Sequence, residues 1–288
     1  LRLLSKEKNN QDVVFNVHLL KDVSKQSMVS FTRYILGKNI SKIKNISKIY
    51  SWSEFQIIER SFNYAVRKNS EIKVYACQFL VNYPVYFNMH VQDIDEFNGS
   101  APHKVLVNGS YYLLEREKVD YQLGVSLRYQ KIFEYQAQGL GLNIVLLGSY
   151  LIHETKNMLK LASNIDTVFF KGHPAVGTDV FRDVMGENIK VTNEGIYDLF
   201  PKATLIIGSA TGSLAEAIAC GVSIIVVARE NELITNSLLD MGKGKMWDIV
   251  FNKIEVEQKL KKLLEFRNKN MGEIKDIAAW YKDNLFIE

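Results

Sequence analysis

Asp166-Thr-Val-Phe-Phe-Lys171-Gly-His173-Pro174 and Thr204-Leu-Ile-Ile-Gly208-Ser209-Ala-Thr211-Gly212-Ser213-Leu214-Ala-Glu216-Ala217 decide how this chain is read. In each, an apolar run short enough for a buried parallel strand ends in small, polar or cationic residues. The second runs straight into a helix-like stretch, Leu214–Cys220, that closes at Gly221. A strand passing through Gly-Ser-x-Thr-Gly-Ser into a helix leaves backbone N–H groups unpaired at the positive end of the helix dipole. Ser209, Thr211 and Ser213 add hydroxyls there, and Gly208 and Gly212 are read as letting a ligand approach the backbone. Lys171 and His173, beside Pro174, bring positive charge and a titratable donor to the end of the other strand. Together the clusters predict a phosphate or diphosphate site at the carboxyl ends of the strands, where open α/β sheets collect ligands. Taken singly, each has a plainer reading, a capped helix and an ordinary His-Pro turn.

The rest of the second half keeps the same alternation. Strands are predicted at Asn143–Gly148, Thr167–Phe170, Ile189–Thr192, Thr204–Ile207, Ser223–Val227 and Trp247–Phe251. Helices are predicted at Leu151–Ala162, Val180–Met185, Ile196–Phe200, Leu214–Cys220, Val256–Phe266 and Met271–Asn284. Repeated βα units with such short apolar strands make a doubly wound parallel sheet. The first half alternates more weakly. Strands fall at Val13–Leu19, Ile46–Tyr50, Ile72–Cys77 and Lys104–Val107, and helices at Ser27–Leu36, Glu54–Arg67 and Tyr111–Glu117. Gly124, Gly139 and Gly141 bracket a junction. The reading is therefore α/β, with a Rossmann-like domain over 1–130 and a second over 131–288. Two such domains facing across a cleft are the GT-B glycosyltransferase arrangement.

Composition narrows the function classes. With 47% hydrophobic and 24% charged residues the chain is an ordinary globular sequence, and no apolar run reaches the roughly 20 residues a bilayer span needs. The two cysteines, Cys77 and Cys220, sit in apolar surroundings and have no zinc-site spacing, which fits a reducing cytoplasm. A net charge of +4 without a basic stripe interleaved with aromatics argues against nucleic-acid binding and leaves a weak attraction to anionic headgroups. The chain opens on Leu1 without an initiator Met or a signal h-region, which reads as a piece of a longer polypeptide with a shortened first domain.

In their order, several short motifs resemble a known group of enzymes. Lys171-Gly-His173-Pro174 followed by Gly208-Ser209-Ala-Thr211 is similar to the paired motifs of bacterial sialyltransferases and capsule Kdo transferases. The chain more broadly resembles surface-carbohydrate-biosynthesis proteins of spirochaete type. That wider likeness runs through Ser53-Glu54-Phe-Gln56-Ile-Ile-Glu59-Arg60, Tyr75-Ala-Cys-Gln78, Pro102-His-Lys-Val-Leu-Val-Asn108-Gly109 and Gly124-Val-Ser-Leu-Arg128-Tyr129, and covers residues 50 to 228. The resemblance implies a metal-independent GT-B transferase with no cofactor. Its donor would be a nucleotide-sugar, favoured as a CMP-activated ulosonic acid such as Kdo or sialic acid. Its acceptor would be a glycan or lipid-linked glycan of lipopolysaccharide or capsule, met in the cytoplasm or at the inner face of the membrane. His173 and the serine cluster would hold the donor phosphate, and Glu216 would lie where such enzymes hold a ribose. Two departures stand out: Gln78 lacks the His or Gly that often follows it, and Asp95-Glu96-Phe-Asn-Gly99 is a poor match to an acidic pair before a glycine.

Such a transfer also needs a carboxylate as general base or nucleophile. Glu54, read as opening a helix after a strand, is the first candidate, with Asp93 and Asp95 next. Asp93-Ile-Asp95 has the letters of a metal-binding Asp-x-Asp but no strand before it, so no metal site is expected. His18, His90, His103 and His153 show no ligand spacing. A CDP-glycerol-type polyol-phosphate transferase and a non-catalytic nucleotide-sugar-binding module share most of these features and remain open.

Overall fold

The computed structural model describes residues 27–84, 89–124, 126–135 and 141–288. The expected strand Val13–Leu19, His18, Val125 and the junction residues 136–140 lie outside them. The chain forms two compact units whose segments alternate along the sequence. The first holds the described residues up to Gln78 with 89–106 and 114–122. The second holds 79–84, 107–113 and the described residues from Leu123 onward.

In the first unit, β1 (Lys48–Ser53), β2 (Lys73–Gln78) and β3 (Lys104–Val107) run parallel, and β4 (Asp120–Leu123) ends a sheet of order β1-β2-β3-β4. Helix α1 covers 27–40, and α2 spans Ile57–Asn69. Ile49 and Phe62 pack on a small core of Val66, Ile72 and Val74. The short α3, Asp93–Asn98, falls where the sequence pattern predicts no helix. It forms because Gln92 and Asp95 exchange side-chain and backbone hydrogen bonds in a capping box, and Gly99 at φ 72° ends it.

The second unit is a six-stranded sheet of order β10-β9-β8-β5-β6-β7, its strands β5 (Asn143–Leu147), β6 (Val168–Lys171), β7 (Ile189–Val191), β8 (Ala203–Gly208), β9 (Ser223–Val227) and β10 (Trp247–Val250) all parallel. Every residue of β9 is buried, as a strand covered on both faces requires. Helices α4 (Lys131–Glu134), α5 (Ile152–Leu161), α6 (Ile196–Leu199), α7 (Ser213–Ala219), α8 (Lys253–Lys269) and α9 (Met271–Leu285) complete it. Helix α7 stops where predicted. Gly221 takes φ 81°, and the N–H groups of Gly221 and Val222 return to the carbonyls of Ile218 and Ala217, closing a Schellman turn. Asn252 caps α8 by accepting the Glu255 N–H at 3.0 Å. Among the described residues no helix is long and apolar enough to cross a membrane.

Two predicted helices are absent. Tyr111–Glu117 holds only the 3₁₀ turn Ser110–Tyr112, because its apolar residues are contiguous rather than spaced to one helical face, and Leu113 is extended. Val180–Met185 reduces to the 3₁₀ turn Thr178–Phe181, whose fully buried Phe181 docks edge-on to Phe170 at 5.6 Å.

The segments that the second unit takes from earlier in the chain are tightly held. Ser126 Oγ donates to Asn108 O at 2.7 Å and accepts the Ile287 N–H at 2.8 Å. Tyr129 Oη accepts the Val81 N–H at 3.1 Å. At Gly109 the end of α9 leaves no room: a methyl there would lie 2.3 Å from Asn284 O and 2.4 Å from Leu285 C. Both are backbone atoms, so relief requires moving the helix. Gly109→Ala is expected to destabilise the protein by about 1–3 kcal/mol, read as a lower urea midpoint, whereas Gly99→Asn, with open space around it and a left-handed φ that Asn tolerates, changes it little.

Candidate functional site

The strand order reverses beside β5. From it the chain proceeds to β6 and β7 on one side, then returns to β8, β9 and β10 on the other. The loops leaving β5 and β8 therefore diverge and open a crevice at the carboxyl edge of the sheet. Both sequence clusters hang from this edge. Lys171 ends β6, Gly208 ends β8, and the turn at Gly148 after β5 lies against His173, since a methyl on Gly148 would sit 3.1 Å from His173 N.

His173 is half-buried, edge-on to Tyr150 at 5.7 Å. Its Nδ1 accepts the Ala175 N–H at 3.2 Å, which puts the neutral ring's proton on Nε2 and makes that nitrogen a donor. Pro174 is exposed in the turn that follows. Residues 209–213 are all half-buried. Thr211 N–H returns to Ser209 O at 2.8 Å, and Thr211 Oγ1 accepts the Ser213 N–H at 3.4 Å. Ser237 Oγ fixes the turn from outside by donating to Thr211 O at 2.9 Å. The N–H groups of Ala210 and Gly212 have no protein acceptor among the described residues and are the donors a phosphate would take.

The glycines also have a packing role. A Cβ on Gly208 would meet Leu214 Cδ2 at 2.7 Å, and one on Gly212 would meet Val81 Cγ2 at 3.1 Å. Neither has a positive φ. Their missing side chains let Leu214 of α7 and Val81 of the 79–84 segment pack against the strand end.

Glu216 is buried, at 5% exposure. Tyr197 Oη donates to its Oε2 at 2.6 Å and the Ser213 hydroxyl also bonds it, with the Arg128 charge nearby. Burial still holds its carboxyl above the ordinary value, and burial beside it pushes the Tyr197 phenol far up as well. Tyr197 in turn stacks on Tyr135 at 6.0 Å, with Lys131 Nζ 5.8 Å from its ring. The sequence pattern assigns no role to Tyr197 or Arg128. It also passes over Arg229, which follows the apolar β9 just as Lys171 follows Val168–Phe170. Arg229 Nη2 pairs with Glu232, while its Nε is buried and unpartnered. With Ser209 it lines a cavity of about 20 Å³, room for about one water.

In the first unit Glu54 follows β1, at the carboxyl edge of that parallel sheet. It does not open a helix, since α2 begins three residues later. Between them buried Phe55 is held at φ 55°, a left-handed conformation that costs a non-glycine residue about 1–2 kcal/mol. The Phe55 N–H bonds Ser53 Oγ at 3.2 Å, and Gln56 Nε2 donates to Glu54 Oε2 at 2.7 Å. Asp95 is spent on structure. Arg60 grips it with two bonds of 2.7 and 3.0 Å, and it also accepts from Ser100 Oγ and Gln92 N–H. Asp93 is exposed in the first turn of α3 and paired with Arg116.

Neither a protein-family model nor a curated sequence matches the chain. Solved structures do resemble it. Against the S. aureus MnaA–UDP complex the TM-score is 0.59 at 11% identity, covering 91% of this chain and 77% of that one. Against Methanocaldococcus jannaschii UDP-GlcNAc 2-epimerase in complex with UDP-GlcNAc and UDP it is 0.52 at 12% identity, covering 82% and 74%. Against CalG4, the calicheamicin glycosyltransferase, it is 0.52 at 9% identity, covering 95% and 79%. At these identities the likeness is one of fold: the chain is GT-B-like α/β.

The Glu216 arrangement sets a pH dependence. Burial is the largest influence on its carboxyl and raises it above 4.5, against the opposing pull of Tyr197, Arg128 and Ser213. The folded protein thus binds this proton more tightly than the unfolded chain does. Its stabilising contribution is complete at acid pH and is lost as pH rises through the folded pKa. The Glu216→Gln protein should therefore gain stability relative to the parent between about pH 4 and pH 7, measured as urea midpoints at each pH. Curves that stay parallel would show that Glu216 titrates normally.

Proposed function

We propose that this protein is a glycosyltransferase that moves a sugar from a nucleotide-sugar donor to a glycan or lipid-linked glycan in bacterial surface-polysaccharide synthesis, of lipopolysaccharide or capsule. It works without metal or cofactor, in the cytoplasm or at the inner face of the membrane. The favoured donor is a CMP-activated ulosonic acid such as Kdo or sialic acid. One observation carries the reading: Lys171-Gly-His173-Pro174 and Gly208–Ser213 leave β6 and β8, the two strands that flank β5, at the reversal point of one parallel sheet. The motif resemblance supports the CMP donor. The fold likeness to two UDP-bearing structures favours a second reading with a UDP-linked donor.

In the transfer, an acceptor hydroxyl oxygen bonds to the anomeric carbon while the bond from that carbon to the donor phosphate breaks. The electron pair leaves with the phosphate oxygen. His173 Nε2–H, the Lys171 charge and the N–H groups of Ala210 and Gly212 stabilise the growing negative charge, where preorganised donors lower the barrier directly. Ser209 and Thr211 add hydroxyl donors, and Pro174 fixes the turn that presents His173. Glu54 takes the acceptor's proton as general base, with Asp93 as the alternative. Glu216 reaches a ribose hydroxyl by exchanging it for Tyr197, and otherwise acts through Ser213.

Calorimetric titration of CMP, CDP and UDP tests the site and separates the donors. His173→Ala and Ser209→Ala should each weaken the preferred nucleotide by about ten- to a hundredfold, as loss of a hydrogen bond to a charged group does. Unchanged affinity in both folded variants would remove the site.

Glu54→Gln keeps the size of the side chain but cannot accept a proton. It should leave nucleotide affinity intact and lower turnover about a hundredfold or more. Near-normal turnover would pass the role to Asp93, to be tested by Asp93→Asn.

A further inference from the structure

Glu54 lines a pocket of about 490 Å³ that lies wholly within the first unit, formed by residues of α1, the end of β1 and the start of α2. Its size is that of a small-molecule site. Leu36 and Phe62 give it apolar wall, and Trp52 lines it while keeping 51% of its surface exposed. Three charged groups also line it: Glu54, Glu59 and Arg33. Glu59 Oε2 is buried behind the pocket wall with no hydrogen-bond partner, a costly state for a carboxylate. Arg33 has no ion pair among the described residues. The strained Phe55 turn, with Gln56 bonded to Glu54, holds the Glu54 carboxylate at this pocket.

The lining selects one kind of ligand. A phosphate would face two carboxylates. An acyl chain would offer no hydrogen-bonding group to Glu54, Glu59 or Arg33, and a cation would meet the Arg33 guanidinium. A neutral sugar ring suits every group at once. Its hydroxyls donate to Glu54 and Glu59 and accept from Arg33, and its C–H face lies on the indole of Trp52 and the apolar wall. We propose that this pocket holds one neutral sugar ring of the acceptor glycan, with a hydroxyl at Glu54. The inference rests on the transferase reading above and deepens it by naming the acceptor's chemistry.

The probes are methyl glycosides of glucose, galactose and N-acetylglucosamine, followed by saturation-transfer NMR and tryptophan fluorescence. Saturable binding of at least one is expected, in the millimolar range of a single ring, with a change in emission because half-exposed Trp52 loses water. Trp52→Ala should weaken it at least tenfold and Glu59→Gln about tenfold, both with native circular dichroism and unchanged nucleotide affinity. If nucleotide binds and no glycoside does, or if binding survives undiminished in both variants, the acceptor pocket is overturned and the transferase reading stands. If neither nucleotide nor glycoside binds, both fall.

Discussion

Parallel strands can be stacked into a sheet only if helices cover both faces, and that leaves the ends of the strands as the places where polar chain emerges. In the second unit this constraint is close to complete: β9 is buried along its whole length, and Leu205, Ile206 and Ile207 of β8 are 0–1% exposed. The pairing of β5 with β8 then matters more than any other, because the connections on its two sides run in opposite directions. The donors of the candidate phosphate site hang from the loops beside that pairing. A shift of one residue in β8 would turn Leu205, Ile206 and Ile207 to the opposite faces of the sheet and carry Ser209 and Thr211 with them.

Around this edge, packing and chemistry compete for the same residues. Gly208 and Gly212 are needed where Leu214 and Val81 press against the backbone. The Glu216 carboxylate is satisfied by Tyr197 and Ser213 within the protein. What is left for a ligand includes the N–H groups of Ala210 and Gly212, the hydroxyls of Ser209 and Thr211, one imidazole nitrogen and the Lys171 charge. The first unit follows the same rule. Asp95 is consumed by Arg60, Ser100 and Gln92, and Glu54, beside a strained turn, keeps a carboxylate oxygen that no protein donor claims among the described residues. A buried carboxylate with all its partners supports the fold; one held half-exposed beside a pocket is available for chemistry.

Much of this architecture is legible in the amino-acid sequence. The apolar runs at Ser223–Val227 and Lys104–Val107 match their strands residue for residue, since a buried parallel strand is little more than an uninterrupted run of branched side chains. The end of α7 is readable because Gly221 fills a position that demands a left-handed residue. Fold and pattern part where the local signal is weak. Tyr111–Glu117 has apolar residues but no helical spacing, and β4, Asp120–Leu123, is polar and exposed, so its strand character comes only from pairing at the sheet edge. Helix α3 is built on a reciprocal pair of side-chain bonds that leaves no apolar stripe.

The sequence by itself determined the βα alternation, the strand ends and the residue types that collect there, because each depends on interactions within a few residues along the chain. Only the tertiary structure decided which of those residues are free to act. Tyr197 lies 19 positions from Glu216, Arg60 lies 35 from Asp95, and Ser237 steadies the Thr211 turn from 26 positions away. Burial and hydrogen-bond satisfaction are sums over neighbours that the fold brings together. A carboxylate's role is therefore set by distant partners that no local pattern announces.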